Sequence, residues 1–428
     1  MAVVQPFKGF IYNPAKVDFQ DITCPPYDVI NPKMHQELYE RHPKNAVRLE
    51  LPMEENRYQI AAERWNEWRK DKTLVQDERP AIYVYDQTFV TKAGKTVTRK
   101  GFLARLKTQP FADKVVMPHE RTLAKAKTDR LNLFMETAAN FSPIFILYRD
   151  PSLSIDDLLA ETRDEVPFMD VTDYQGAHNL VWRLKSGPVL EKIQSYFTDE
   201  RLYIADGHHR YETALAYSEL RASQNPNHTG NEAYNFVMAY FTNMDDPDLV
   251  VYPTHRLVHG IDAAHLTNLD ASLKKAFEVK VLPSEADLKS FMAESATGKL
   301  GIVRLKGSDL EWIGLTFKGD FSFFAGTDIP DEVQKLDVSI LHRIIFRQFL
   351  DISQEAQDQQ INLHYSKDWA ETVGEVKSGK SQLAVLMNPT PVSSVVEVCN
   401  SGHVMPQKST FFYPKVITGI SFHDLNGE

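Results

Sequence analysis

The sequence predicts a mixed fold, α/β or α+β, and three observations predict it. Short, bounded apolar runs of the kind that fill buried strands occur at residues 142–148 and 236–241. They alternate with longer runs in which apolar residues are interrupted by charges, as at residues 58–70, the habit of helices. No internal repeat or low-complexity segment runs through the 428 residues. A chain of this length holds two or three domains, or one core with large insertions. Its mixed order of strands and helices argues against a bundle or a sandwich.

Taken in order, residues 58–70 are an expected helix with Ile60, Ala61, Trp65 and Trp68 set between charges. Residues 82–85 and 101–106 read as strands, and the polar turn 92–95 with Gly94 suggests a hairpin between them. A second helix is expected over 129–140, closed by Asn140 and followed by Pro143. Residues 211–224 continue a third helix, and Asn225-Pro226-Asn227-His228-Thr229-Gly230 ends it as a loop. Residues 261–380 differ in character: charged helical runs, a strand over 300–305 and a hairpin around Lys318-Gly319-Asp320. Strand-like residues return at 383–387 and 395–398. The expected organisation is a core over 1–260, an α+β subdomain over 261–380, and a C-terminal segment, 381–428, that returns to the core.

The composition excludes several classes. Net charge is −10, and an acidic surface repels polyanions, so sequence-independent nucleic-acid binding is not expected. Cys24 and Cys399 are the only cysteines and match no metal or redox spacing. Reduced thiols in a cytoplasm are the simple reading. Residues 1–8 are not followed by the apolar stretch of a signal peptide, and no run approaches twenty apolar residues, so no membrane helix is expected.

The most informative stretch is Tyr203-Ile204-Ala205-Asp206-Gly207-His208-His209-Arg210-Tyr211-Glu212. It reads as strand, tight turn and helix N-terminus. Such a terminus presents unpaired N–H groups and the positive end of the dipole, which suits an anion. Gly207 lets the backbone approach closely, and Arg210 can clamp phosphate oxygens. The stretch predicts a bound phosphate, most simply a nucleotide's. Two other readings stay open: Asp206 as a plain N-cap, and a metal held by His208, His209 and Glu212.

Other constellations follow. Pro25-Pro26-Tyr27-Asp28 is a stiff, extended segment suited to lining a pocket or to a plain domain-boundary loop. Residues 118–130 set His119 and Glu120 beside Arg121, Lys125, Lys127 and Arg130, either a base among cations or a solvated charged face. His255 and Arg256 follow a strand. Residues 405–415 hold Lys408, Ser409 and Thr410 before aromatics and Pro414-Lys415. They suit phosphate contacts or a surface turn, and the glycine spacing of a P-loop is absent. Nucleophile-elbow, dinucleotide-binding and zincin motifs are also absent.

These segments, in this order, resemble a family known as the domain of unknown function one-zero-one-five over nearly the whole chain. Through residues 206–210 alone the chain is also similar to the ParB/sulfiredoxin superfamily, whose strand–Gly-x-x-Arg–helix turn binds nucleotide phosphates. His208 stands where sulfiredoxins carry a catalytic cysteine, so sulfinic-acid reduction is not expected. The free-serine kinases of that superfamily carry an Asp-Gly-His-His-Arg motif like residues 206–210. The resemblance implies a ParB/sulfiredoxin-like core and nucleotide-dependent phosphoryl transfer on a small hydroxy amino acid.

In that reading Gly207 and Arg210 hold the phosphates of ATP or ADP, and Asp206 binds Mg²⁺ or orients the turn. His208 and His209 donate hydrogen bonds to phosphoryl oxygens. Glu120, favoured over Asp28, accepts the hydroxyl proton. Arg121, Arg256 and Lys408 neutralise developing charge, and Ser409 and Thr410 add phosphate contacts. Tyr27, His119 and His255 border the substrate. The rivals are a phosphatase acting on a phosphorylated amino acid such as phosphoserine, a non-catalytic nucleotide-responsive module, and a hydrolase with metal on His208, His209 and Glu212. The expected partners are a nucleotide and a small molecule, with homo-oligomerisation left open.

Overall fold

Val, Ile, Tyr and Phe dominate the runs that build a ten-stranded sheet in the computed structural model, which describes residues 1–122, 124–185 and 187–427. Its strands are β1 (Val4–Gln5), β2 (Ile82–Val90), β3 (Thr96–Arg99), β4 (Phe102–Lys107), β5 (Val116–Met117), β6 (Ile144–Tyr148), β7 (Met169–Thr172), β8 (His178–Leu184), β9 (Leu202–Asp206) and β10 (Phe236–Asn243). Their order is β7-β8-β2-β4-β10-β6-β9-β5, with β1 beside β4 and β3 beside β2. Pairing is antiparallel except for β6 with β10 and β5 with β9. The fold class is therefore mixed α/β.

The sheet has unlike faces. On one, Val84, Phe102, Ile144, Ile204 and Phe241 form an apolar core with Leu159, Phe197 and Tyr217. The other gathers Tyr85, Gln87, Arg99, Phe145 and Tyr240. Three helices matter below: α1 (Arg57–Lys70), α2 (Ala124–Thr137) and α3 (His208–Gln224). α2 packs on both α1 and α3. The side chains of residues 124–126, Lys125 among them, lie outside the described residues. Trp65, Trp68, Leu133, Phe141 and Phe422 close a second apolar cluster.

This unit comprises Met1–Pro118, Thr122–Val250 and Pro414–Glu428. Its last segment runs back along the first. Thr418 bridges to Cys24, Phe422 to Phe10, and His423 pairs with Asn140.

The second unit comprises His119–Arg121 and Val251–Tyr413. Its sheet is wholly antiparallel, from β11 (His255–Val258), β12 (Phe277–Leu282), β13 (Lys299–Lys306), β14 (Asp309–Phe317), β15 (Leu363–Ser366) and β16 (Leu383–Met387). The order is β12-β14-β13-β16-β11-β15, over a core of Leu257, Leu288, Val303, Val376 and Leu386. The unit thus extends beyond residues 261–380 in both directions.

Three local expectations are corrected. Asn140 does not close α2, which ends at Thr137 with Ala138 at φ 45°. Asn140 is instead buried, accepting from the Met238 amide at 2.7 Å and donating to Ser142 O at 2.9 Å. The hairpin lies between β13 and β14 at Gly307, not at residues 318–320, where the Asp320 side chain caps a short 3₁₀ turn, Phe321–Phe324. Residues 395–398 belong to a helix, Val392–Asn400, because Val395, Val398 and Cys399 recur at the spacing of one helix face. Cys24 and Cys399 are both buried. Among the described residues no helix is long and apolar enough to cross a membrane.

Candidate functional site

β9 ends in a register shift between Ile204 and Asp206 and enters α3 through Gly207. Gly207 sits at φ 87°, and a Cβ there would meet Arg210 Nε at 2.9 Å. Only glycine suits both the conformation and the guanidinium beneath it. Gly207, not Asp206, is the N-cap, and it supplies no side-chain capping bond. The Asp206 carboxylate turns instead to two cations. Oδ2 accepts from Arg210 Nη2 at 2.6 Å, and Oδ1 pairs with Lys415 Nζ. Burial opposes ionisation of Asp206, but Lys415 and then Arg210 outweigh it and hold the carboxyl well below its usual range.

This geometry changes two expected roles. The Arg210 guanidinium is buried and already engaged, Nη1 on Pro143 O and Nη2 on Asp206. It shapes the turn from inside and is not presented as a clamp. Mg²⁺ does not fit Asp206, whose two oxygens face a lysine and an arginine. Glu212 is likewise engaged, by Thr122 Oγ1 and Lys127 Nζ at 2.7 Å each. Among the described residues no group of three or more His, Cys, Asp or Glu is arranged to hold a metal. His208 is buried and His209 half-buried in the first turn of α3.

Pro25 and Pro26 are buried and lead into a 3₁₀ turn, Tyr27–Val29. The Arg130 guanidinium lies 4.2 Å from the Tyr27 ring centroid. Arg130 is fixed by Asp129 and by Glu50, whose Oε1 also accepts from Ser142 Oγ at 2.9 Å. Burial, reinforced by Asp28, pushes the Tyr27 hydroxyl up to about 12 against the pull of Arg130 and Arg210. Asp28 is exposed and lies within electrostatic reach of Arg210. Tyr27, Asp28, residues 206–210 and Lys415 therefore come together in the first unit. Sequence reasoning missed Glu50, and named Lys415 only as the end of the 405–415 stretch suited to phosphate contacts. A lone carboxylate in the apolar run Ala46-Val47-Arg48-Leu49-Glu50-Leu51 was the available signal for the former.

The second unit gathers another set. His119 Nε2 is 2.9 Å from Thr410 Oγ1, and Glu120 bridges to Met405. Glu120 Oε1 accepts from the Lys408 amide at 3.2 Å, and Lys408 holds φ 57°. Arg256 is 1% exposed and donates to Thr254 O and Lys408 O. Burial lowers its pKa to about 10. Ser409 Oγ donates to Pro406 O, and Ser409 O accepts from Thr390 Oγ1. His255 Nδ1 accepts from the Met387 amide at 3.2 Å. Arg121 is exposed. Most of these polar groups shape the 405–410 turn.

A family model described as a protein of unknown function, DUF1015, matches residues 4–367, and the chain belongs to that family. No curated protein matches the sequence. Among solved structures the chain is similar to a free serine kinase in complex with AMP, at 14% identity and TM-score 0.35, with 70% of this chain and 84% of that chain covered. It is similar to a conserved hypothetical protein from Pyrococcus furiosus at 13% identity and TM-score 0.35, covering 70% and 87%. A third likeness is to SbnI with a C-terminal truncation from Staphylococcus aureus, at 9% identity and TM-score 0.35, covering 75% and 87%.

Proposed function

We propose, with membership of that family as the premise, that the turn at residues 206–210 is a ParB/sulfiredoxin-like nucleotide site. We propose further that it serves phosphoryl transfer to a small hydroxy amino acid. One observation carries the reading: two cations, Arg210 and Lys415, converge on one carboxylate at the N-terminus of the 17-residue helix α3. The turn is left with a net positive charge and the positive end of a helix dipole, with Gly207 allowing close main-chain approach. Phosphoryl transfer needs such positioning and charge neutralisation more than covalent chemistry.

In this reading the main chain of residues 207–209 faces the phosphates. The Asp206–Arg210–Lys415 cluster fixes the turn, and His208 and His209 hydrogen-bond phosphoryl oxygens. Asp28 takes the hydroxyl proton. It is preferred to Glu120 because it is exposed and within electrostatic reach of Arg210, whereas Glu120 receives the Lys408 amide. The nucleotide arrives with whatever cation it carries in solution, and no step runs through a metal held by the protein.

Calorimetric titration with ADP and ATP, with and without Mg²⁺, tests the site, and a serine phosphorylation assay run in both directions tests the reaction. Asp28→Asn is expected to abolish turnover while leaving nucleotide affinity within about threefold, since a general base contributes about 10²–10⁴-fold in rate. Loss of turnover in Glu120→Gln but not in Asp28→Asn would move the base to Glu120. A folded protein that binds no nucleotide ends the proposal. The non-catalytic module is favoured over it if nucleotide binds and no hydroxy amino acid is phosphorylated; the engagement of Arg210 by Asp206 is the observation on its side.

A further inference from the structure

β12 is the outer strand of the second unit's sheet. It has β14 on one side and, among the described residues, no strand on the other. Its six residues, Phe277-Glu278-Val279-Lys280-Val281-Leu282, pair with β14 without a register shift. An edge of this kind presents main-chain donors and acceptors to an incoming strand, and folds commonly blunt it with proline or a bulge. β12 has neither. The helices before and after it, Ala263–Ala276 and Glu285–Ala293, pack on the sheet. The edge itself stays open: Glu278 and Lys280 are exposed, and Val281 is 65% exposed.

Side chains alternate along a strand, so Glu278 and Lys280 share one face and Phe277, Val279 and Val281 the other. Among the described residues neither Glu278 nor Lys280 makes a salt bridge. Glu294 is within electrostatic reach of Lys280 but is itself paired with Lys299.

We propose that this edge pairs with the same edge of a second copy of the chain, antiparallel about a two-fold axis through Val279. The charges select the occupant and the register. With Val279 opposite Val279, each Glu278 faces the other copy's Lys280, and the two-fold makes two such pairs. Sliding the strands by two residues one way sets Glu278 against Glu278, and the other way Lys280 against Lys280. A slip of one residue moves the charges to opposite faces. On the second face Val281 falls opposite the other copy's Phe277, whose ring lies 5.8 Å from that of Phe317. The exposed valine thereby gains an apolar neighbour. A lysine on a sheet edge ordinarily deters pairing. Here Glu278, two residues away, turns the deterrent into a condition that only one register meets. Six residues of edge form a small interface, so the dimer is weak and concentration-dependent, with a dissociation constant on the order of 10–100 μM.

The test is sedimentation of the full chain from about 1 to 200 μM, with circular dichroism to show that each variant is folded. Wild type is expected to shift reversibly from monomer to dimer. Glu278→Lys alone, or Lys280→Glu alone, should weaken the dimer about tenfold, because both opposite-charge pairs become like-charge pairs. The double variant Glu278→Lys with Lys280→Glu should recover wild-type association within about threefold. The two single variants, mixed, should form a heterodimer that neither forms with itself, a result that a merely structural role for these residues does not produce. The proposal is overturned if wild type stays monomeric across the range, if the dimer survives both single variants unchanged, or if neither the double variant nor the mixture recovers it.

Discussion

At the scale of single residues, the Asp206 cluster makes the sharpest demands. Removing Arg210 leaves a buried carboxylate with only Lys415. Arg210→Gln is expected to destabilise by about 3–5 kcal/mol, as when a buried pair is broken. Urea denaturation measures it, and a loss under about 1 kcal/mol would contradict the buried ion-pair geometry. The sign of the pH effect follows from direction. Asp206 has a depressed native pKa, so its contribution is complete above the ordinary carboxylate value, about 3.9, and is lost as pH falls below it. Asp206→Asn should remove that part of the acid dependence. Arg210 also shows where sequence reading stops. The local order of strand, glycine and helix was legible from residues 203–212. That the arginine would turn inward to Asp206 and Pro143 was not, because its partners depend on β6 and on Lys415, far away in the chain.

At the scale of elements, the junction of β9 and α3 depends on one backbone conformation. Gly207→Ala places a Cβ at positive φ and against Arg210, and is expected to cost about 1–2 kcal/mol or more. A shift in denaturation midpoint without a change in slope is the expected signature. Periodicity made α1, α3 and the buried strands β6 and β10 readable. It misled at residues 395–398, where four residues are too few to separate a period of two from one of three to four. It misled again at Asn140, whose helix-ending appearance conceals a buried amide that ties β10 to the chain after α2.

At the scale of the whole molecule, each unit encloses a histidine that burial keeps neutral. His423 lies in the first unit and His342 in the second, each with its pKa lowered to about 3. Arg105 adds to the effect at His423, and Arg256 at His342. A depressed native pKa means full stability above the ordinary histidine value of about 6.5 and progressive loss as pH falls towards 3. Each histidine costs up to about 1.4 kcal/mol per pH unit in that window. Urea stability is therefore expected to fall between pH 7 and pH 5, well before Asp206 titrates, and His423→Gln should flatten the slope. A midpoint unchanged across that range would falsify the assignment. The division of the sequence into units was only partly legible. Residues 119–121 belong to the second unit although they follow the first in the chain, and nothing local marks that exchange.

The segment from Pro414 onward has a consequence for biosynthesis. It completes the first unit: Lys415 reaches Asp206, Phe422 fills an apolar cluster and His423 pairs with Asn140. A ribosome must therefore finish residues 251–413 before that unit can close. At about 5–20 residues per second this wait lasts roughly 8–30 s. Throughout it, the nascent chain holds a buried-type carboxylate with one of its two cations missing and an aromatic cluster lacking Phe422. Such an intermediate is a natural client for chaperones. Rare codons late in the message would lengthen its exposure, whereas the same codons placed before residue 250 would not.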